Sequence, residues 1–202
     1  MPPTILITGF GPFPGAPKNP SGSLALRLVR VRRPAFANVR RVSHVFDTSY
    51  EAIERDLPAL IARHRPDAVL MFGLASRTRH LRIEMRARNG VTSLFADVDR
   101  RKSSATKLMV NGPSWLPMRA PGASLLTAAR AARVPAALSF DAGRYLCNAL
   151  YWQALQPTTR GVGPRVVAFV HVPRTAYVSS ESLARAGEAI LLAILAAARR
   201  PR

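Results

Sequence analysis

The chain has 202 residues, 48% of them hydrophobic, enough to bury a full core, so residues 1–202 are read as a single domain. One cysteine excludes an internal disulfide framework and a multi-thiolate metal site, and it points to a reducing compartment. A formal charge of +19, from 30 basic and 11 acidic residues, invites a nucleic-acid reading, but only Lys18, Lys102 and Lys107 are lysines and the densest basic stretch, 77–107, has no interleaved aromatic ladder or binding motif, so no specific nucleic-acid partner is expected. Met1-Pro2-Pro3-Thr4 carries no basic leader region and runs straight into a strand, so no signal peptide is expected. The longest apolar run, 189–198, falls short of the roughly 20 residues that a bilayer span needs. A cytoplasmic protein without a membrane partner is the expectation.

Thr4-Ile5-Leu6-Ile7-Thr8, bounded by Pro and Gly, reads as a buried first strand. The loop Gly9-Phe10-Gly11-Pro12-Phe13-Pro14-Gly15 follows. Its glycines are not a dinucleotide fingerprint, because Pro12 and Pro14 prevent a helix from opening where a pyrophosphate would need N–H groups. The loop instead offers Phe10 and Phe13 as two exposed aromatics at the C-terminal end of a strand, the usual ligand position in α/β sheets; folding over the core is the competing reading. Asn19-Pro20-Ser21 begins a helix capped by Ser21 or Ser23, with Leu24, Leu28 and Val31 along one face. A second strand is predicted at 39–46, a second helix at 48–63 that stops before Pro66, and a third strand at 67–72, apolar enough to be central and parallel.

After Gly73 the chain changes character. Leu81, Ile83 and Met85 alternate with Arg82, Glu84 and Arg86, which predicts a strand with one polar face carrying Glu84 beside two arginines. Residues 90–120 show no period and read as mostly loop, a candidate lid. A helix is predicted at 122–133, a short buried strand at 134–138, a last buried strand at 165–171 and a closing helix at 180–200, capped by Ser179 or Ser180. The alternation of elements gives an α/β fold, a three-layer α/β/α sandwich with a mostly parallel central sheet.

The lone Cys147 sits where the 134–138 strand hands over to a helix carrying Leu146, Leu150 and Leu155. If that helix begins near Tyr145, Cys147 lies in its first turn, where unpaired N–H groups and the helix dipole favour a thiolate; a cap at Asp141 would push it into the second turn. A free cysteine is also a common core residue. A thiol nucleophile needs a base and the base an orienting group. The chain offers His171 at the end of an apolar strand and Glu84 inside another.

Four segments in the right order carry a resemblance: Thr8-Gly9-Phe10-Gly11-Pro12-Phe13 with Asn19-Pro20-Ser21; Glu84-x-x-Ala87-x-Asn89; Ala142-Gly143-x-Tyr145-x-Cys147-Asn148; and Phe169-Val170-His171-Val172-Pro173. They resemble the signature of the pyroglutamyl peptidase I family, also called pyrrolidone-carboxylate peptidase, over nearly the whole chain. The resemblance implies a cysteine peptidase that removes N-terminal pyroglutamate from peptides through Glu84, Cys147 and His171, with Phe10, Phe13, Asn19 and Tyr145 on the substrate side. It also implies no metal or cofactor and a homo-oligomer, often a tetramer. Leu74 stands where the family pattern Gly-Gln-Ala-Gly-Gly-Arg has glutamine, and an Asp-Ala-Arg-Ile-Pro-Asp-Asn segment that follows the glutamate in the family is absent from 91–101. Weakened or altered specificity is therefore expected. The alternatives are an inactive relative that binds a small ligand and a basic nucleic-acid-binding protein.

Overall fold

Runs of β-branched and aliphatic residues between Pro and Gly breakers become strands, and amphipathic runs opened by Asn or Ser caps become helices. The structure, a computed structural model, describes residues 2–13 and 15–200. In chain order the elements are β1 (Thr4–Phe10), α1 (Pro20–Leu28), β2 (Arg40–Phe46), α2 (Tyr50–His64), β3 (Ala68–Leu74), β4 (Leu81–Glu84), β5 (Arg86–Arg88), β6 (Trp115–Pro117), α3 (Gly122–Ala131), β7 (Ala136–Ser139), α4 (Leu146–Leu155), β8 (Val166–Val172) and α5 (Ser180–Arg199). The central sheet has the order β2-β1-β3-β8-β4-β7, parallel throughout except where β4 meets β8. Alternate strand residues divide the core. Ile5, Ile7, Leu70, Phe72, Ala168 and Val170 face α1, α3 and α5. Leu6, Phe10, Val69, Met71, Val167 and Phe169 face α2 and α4. Covering both faces is why the central strands are apolar without interruption, and the result is the expected three-layer sandwich.

The first strand runs further than its hydrophobic pattern indicated. Gly9 lets the start of α1 lie directly on it: a Cβ there would come within 2.2 Å of the Ser21 carbonyl oxygen. The Ser21 hydroxyl accepts from the Phe10 N–H at 3.1 Å. Phe10 is thereby drawn into the sheet and buried, its ring centroid 6.1 Å from that of Phe46. It is a core residue rather than an exposed loop aromatic, while Phe13 remains in the loop and half-buried. Asn19, not Ser21 or Ser23, caps α1, accepting from the Ser21 N–H at 3.1 Å. The helix ends at Leu28, short of Val31.

The polar-faced strand expected across 81–86 is split. Met85 leaves the sheet, its N–H donating to Ser139 and its carbonyl accepting from Met118. Arg86–Arg88 then pairs with Trp115–Pro117 as a separate antiparallel ribbon, so Arg86 does not share the strand face of Glu84. β6 was hidden in the aperiodic 90–120 stretch because three residues are too few to show a period, and its Pro117 is compatible only with an edge. β7 is likewise an edge strand, with Leu138 exposed, not the buried strand expected there.

Two asparagines tie the 89–118 segment down. Buried Asn148 accepts from the Arg88 N–H at 2.8 Å and donates to the carbonyls of Arg88 and Gly90 at 2.8 and 3.1 Å. Asn89 donates to the Met109 carbonyl at 2.8 Å and accepts from the Met109 N–H at 2.9 Å. Replacing Asn148 strands three backbone groups in a part-buried site. We expect Asn148→Ala to lower unfolding free energy by about 1–3 kcal/mol, read as an earlier urea midpoint; an unchanged midpoint would show that this clamp carries no stability.

Candidate active site

The antiparallel joint sets the first pair of groups. Its register puts Arg82 opposite His171 and Glu84 opposite Phe169, so Glu84 is the diagonal neighbour of His171 on the same face. The His171 Nδ1 lies 2.8 Å from Glu84 Oε1, with Glu84 fully buried and His171 nearly so. With the carboxylate ionised, Nδ1 carries the proton and donates it, which leaves Nε2 for the thiol. Arg82 Nε sits 3.2 Å from the same carboxylate oxygen. Its guanidinium is held in turn by the Ser139 hydroxyl and the Asp141 carbonyl. Oε2 of Glu84 has no hydrogen-bond partner among the described residues.

The third group arrives on α4. Gly143 adopts a left-handed φ of 83°, and its N–H donates to Asp141 Oδ1 at 3.0 Å, so the chain turns sharply after β7. Tyr145 is the N-cap residue and its side chain makes no capping bond. Cys147 is therefore in the first turn, and Asp141 does not cap the helix. The N–H groups of Leu146, Cys147 and Asn148 have no acceptor among the described residues; the first helical bond runs from Ala149 to the Tyr145 carbonyl. The sulfur rests over Gly73 of β3, which pairs with His171 of β8 in the sheet. A Cβ at Gly73 would come within 2.7 Å of Cys147 Sγ and 2.8 Å of Phe169 Cζ. Gly73 is thus a site residue that the sequence showed only as the end of a strand.

Burial alone would lower the His171 pKa, but interactions with the Cys147 sulfur and the Glu84 carboxylate outweigh it and push the value up to about 9. The imidazole is charged at neutral pH. Beside the thiol, Tyr145 packs edge-on against Tyr50 and Phe95, with ring centroids at 5.9 and 6.1 Å. Its hydroxyl donates to the Ala96 carbonyl at 2.8 Å. Burial, with smaller contributions from nearby Asp97 and Cys147, pushes Tyr145 up to about 12; Tyr50, buried and beside Tyr145, Asp97 and Cys147, also rises to about 12, so both phenols stay neutral. Asp97 fixes this wall by accepting from the backbone N–H groups of Tyr50, Asp99 and Arg101 at 3.2, 3.1 and 2.9 Å. Tyr50 and Phe95 escaped sequence reasoning because nothing local links a helix start to an aperiodic loop.

Glu84, Cys147 and His171 come together, with Tyr145 alongside. Asn19 caps a helix on the other face of the sheet from α4; besides Ser21, its amide donates to the Gly11 carbonyl at 2.9 Å, which shapes the Phe13 loop. Leu74 lines an open cleft of about 330 Å³ that reaches His171 and includes Ser76, Arg77, Arg82 and Asp141. Among the described residues no group of three or more His, Cys, Asp or Glu side chains could hold a metal ion, and no helix is long and apolar enough to cross a membrane.

An α/β sandwich with a thiol at an uncapped helix start and a buried imidazole–carboxylate pair beneath it has the layout of a cysteine hydrolase. The pyroglutamyl peptidase family model matches residues 3–198, and the chain belongs to that family of cysteine peptidases. It is similar to the pyrrolidone-carboxylate peptidase of Thermococcus kodakarensis, with 30% identity covering 84% of this chain and 80% of that one. The pyrrolidone-carboxylate peptidase 1 of Ralstonia nicotianae is 32% identical over 85% of this chain and 78% of its own. Among solved structures, the pyrrolidone carboxyl peptidase of Thermococcus litoralis superposes with a TM-score of 0.89 at 24% identity, covering 96% of this chain and 94% of that one. That of Thermus thermophilus gives 0.81 at 32% identity, covering 94% and 99%.

The raised His171 pKa is also a statement about stability. A folded value of about 9 against an ordinary 6.5 means that the charged imidazole stabilises the fold fully below pH 6.5, and that this contribution is lost as pH rises through 9. The thermal midpoint should fall across that window, and the decline should flatten in His171→Asn. A wild-type profile as flat as the variant's would remove the charged pair from the account.

Proposed function

We propose that this chain removes N-terminal pyroglutamate from peptides, with Cys147 as nucleophile, His171 as base and acid, and Glu84 as the group that orients His171. The observation that carries the reading is the buried 2.8 Å His171–Glu84 pair lying beneath an uncapped helix start that bears the only cysteine. The proton of the Cys147 thiol is held on His171 Nε2, and the sulfur bonds to the pyroglutamyl carbonyl carbon. The oxyanion that forms is met by the free N–H groups of Leu146, Cys147 and Asn148, each such donor typically contributing ~3 kcal/mol. As the C–N bond breaks, His171 returns the proton to the leaving amine. His171 then deprotonates a water that attacks the thioester, which releases pyroglutamate and restores the thiol.

The lactam ring is neutral and mostly apolar, and the aromatic wall of Tyr145 and Phe95 with loop residue Phe13 suits it. The buried Phe10 packs beside Phe46 in the core layer against which Tyr145 rests, and Asn19 holds the Phe13 loop in place. Leu74 cannot hydrogen-bond to the substrate, and Phe95 now occupies the stretch where the family segment carries an arginine. A lactam left short of a polar partner loses on the order of 1–3 kcal/mol, about ten- to a hundredfold in kcat/KM. A cytoplasmic location fits the single unpaired thiol. A homo-oligomer, a tetramer by the resemblance, completes the proposal.

Release of a chromogenic amine from a pyroglutamyl substrate should be measurable but weak, and lost in Cys147→Ser and Cys147→Ala. Alkylation of Cys147 by iodoacetamide at neutral pH should slow in His171→Ala and in Gly73→Ala, whose new methyl displaces the sulfur. Strong preference for a free, non-lactam N-terminal residue would overturn the substrate. A rapidly alkylated Cys147 with no turnover at all would favour the inactive relative.

A further inference from the structure

We propose that the cleft beside His171 receives the peptide leaving group and favours one with negative charge next to the scissile bond; this rests on the peptidase reading above. The general acid has to reach the departing nitrogen, and His171 Nδ1 is already committed to Glu84. The nitrogen that serves the leaving group is therefore Nε2, and a cleft of about 330 Å³ has His171 in its wall. The aromatic residues Tyr50, Phe95 and Tyr145 take no part in lining it, so the acyl group and the leaving peptide have separate places.

The charges around the cleft do not cancel. Arg82 is paired with Glu84 at 3.2 Å, and Asp141 with Arg88 at 3.1 Å. Arg77 is exposed on the cleft wall and has no ion-pair or hydrogen-bond partner among the described residues. Ser76 and Arg77 stand where the family pattern has two glycines and Thr78 where it has arginine, so the cation of this loop is displaced by one residue in the present chain. The overall charge of +19 adds a field of the same sign, which draws anionic peptides toward the site.

The test compares kcat/KM for three matched pyroglutamyl tripeptide amides with Glu, Ala or Lys after the pyroglutamyl group. The expected order is Glu, Ala, Lys, with steps of about two- to fivefold at low salt, the range of a single exposed ion pair. The steps should shrink in 0.5 M NaCl, where screening leaves charge interactions short-ranged. Arg77→Gln should level Glu with Ala, and Arg77→Glu should reverse Glu and Lys. Because each readout is a ratio between substrates within one variant, a general loss of activity does not imitate it. Equal rates for the three substrates, or a Glu preference unchanged by Arg77→Gln, would overturn the cleft assignment while leaving the peptidase reading intact. No turnover of any pyroglutamyl substrate would overturn both.

Discussion

A carboxylate wholly removed from water costs several kcal/mol unless a counter-charge and hydrogen bonds meet it. At Glu84 the sheet supplies both, through the one pair of neighbouring strands that run in opposite directions. The reversal brings the two side chains together on one face and puts Arg82 close enough to share the same oxygen. Arg82 is anchored to the β7–α4 turn, so the strand that bears the carboxylate and the turn that launches the nucleophile's helix are joined through a single guanidinium.

The approach of α4 to this pair depends on what is missing. No side chain caps the helix, no side chain fills Gly73, and no branched residue occupies the left-handed turn at Gly143. Each omission would be a fault in an ordinary helix–sheet contact. Together they leave three N–H groups and a sulfur facing the end of the sheet, on a helix whose remaining length is packed against Phe169 and its neighbours. The reactive group is therefore rigidly carried, although its immediate surroundings are sparse.

Much of this was legible in the chain. Strands β1, β3 and β8 are buried on both faces and announce themselves as apolar runs, and the position of Cys147 just inside a helix followed from Gly143 and the spacing of Leu146 and Leu150. What could not be read depends on contacts between distant segments. The burial of Phe10 comes from Ser21 meeting Gly9, the division of 81–88 between two sheets comes from a partner only three residues long, and the aromatic wall comes from Asp97 reaching the start of α2. The burial of Glu84 beside Arg82 could not be read, because strand alternation reports which residues share a face, not what covers that face.

The Asn89–Met109 clamp closes the chain on itself at the foot of the wall. Everything between those residues is a loop with fixed ends, and for such a loop each doubling in length costs only about 0.6 kcal/mol in closure entropy. Insertions, deletions and replacement at 102–105 are thus insulated from the Glu84–His171 pair, whereas Thr92 and Ala96 bond Arg144 and Tyr145 at the start of α4. The protein is divided into a part that must keep its geometry and a part free to vary its contents, which gives a physical route by which a lineage can alter what it recognises and leave the bond-breaking apparatus undisturbed.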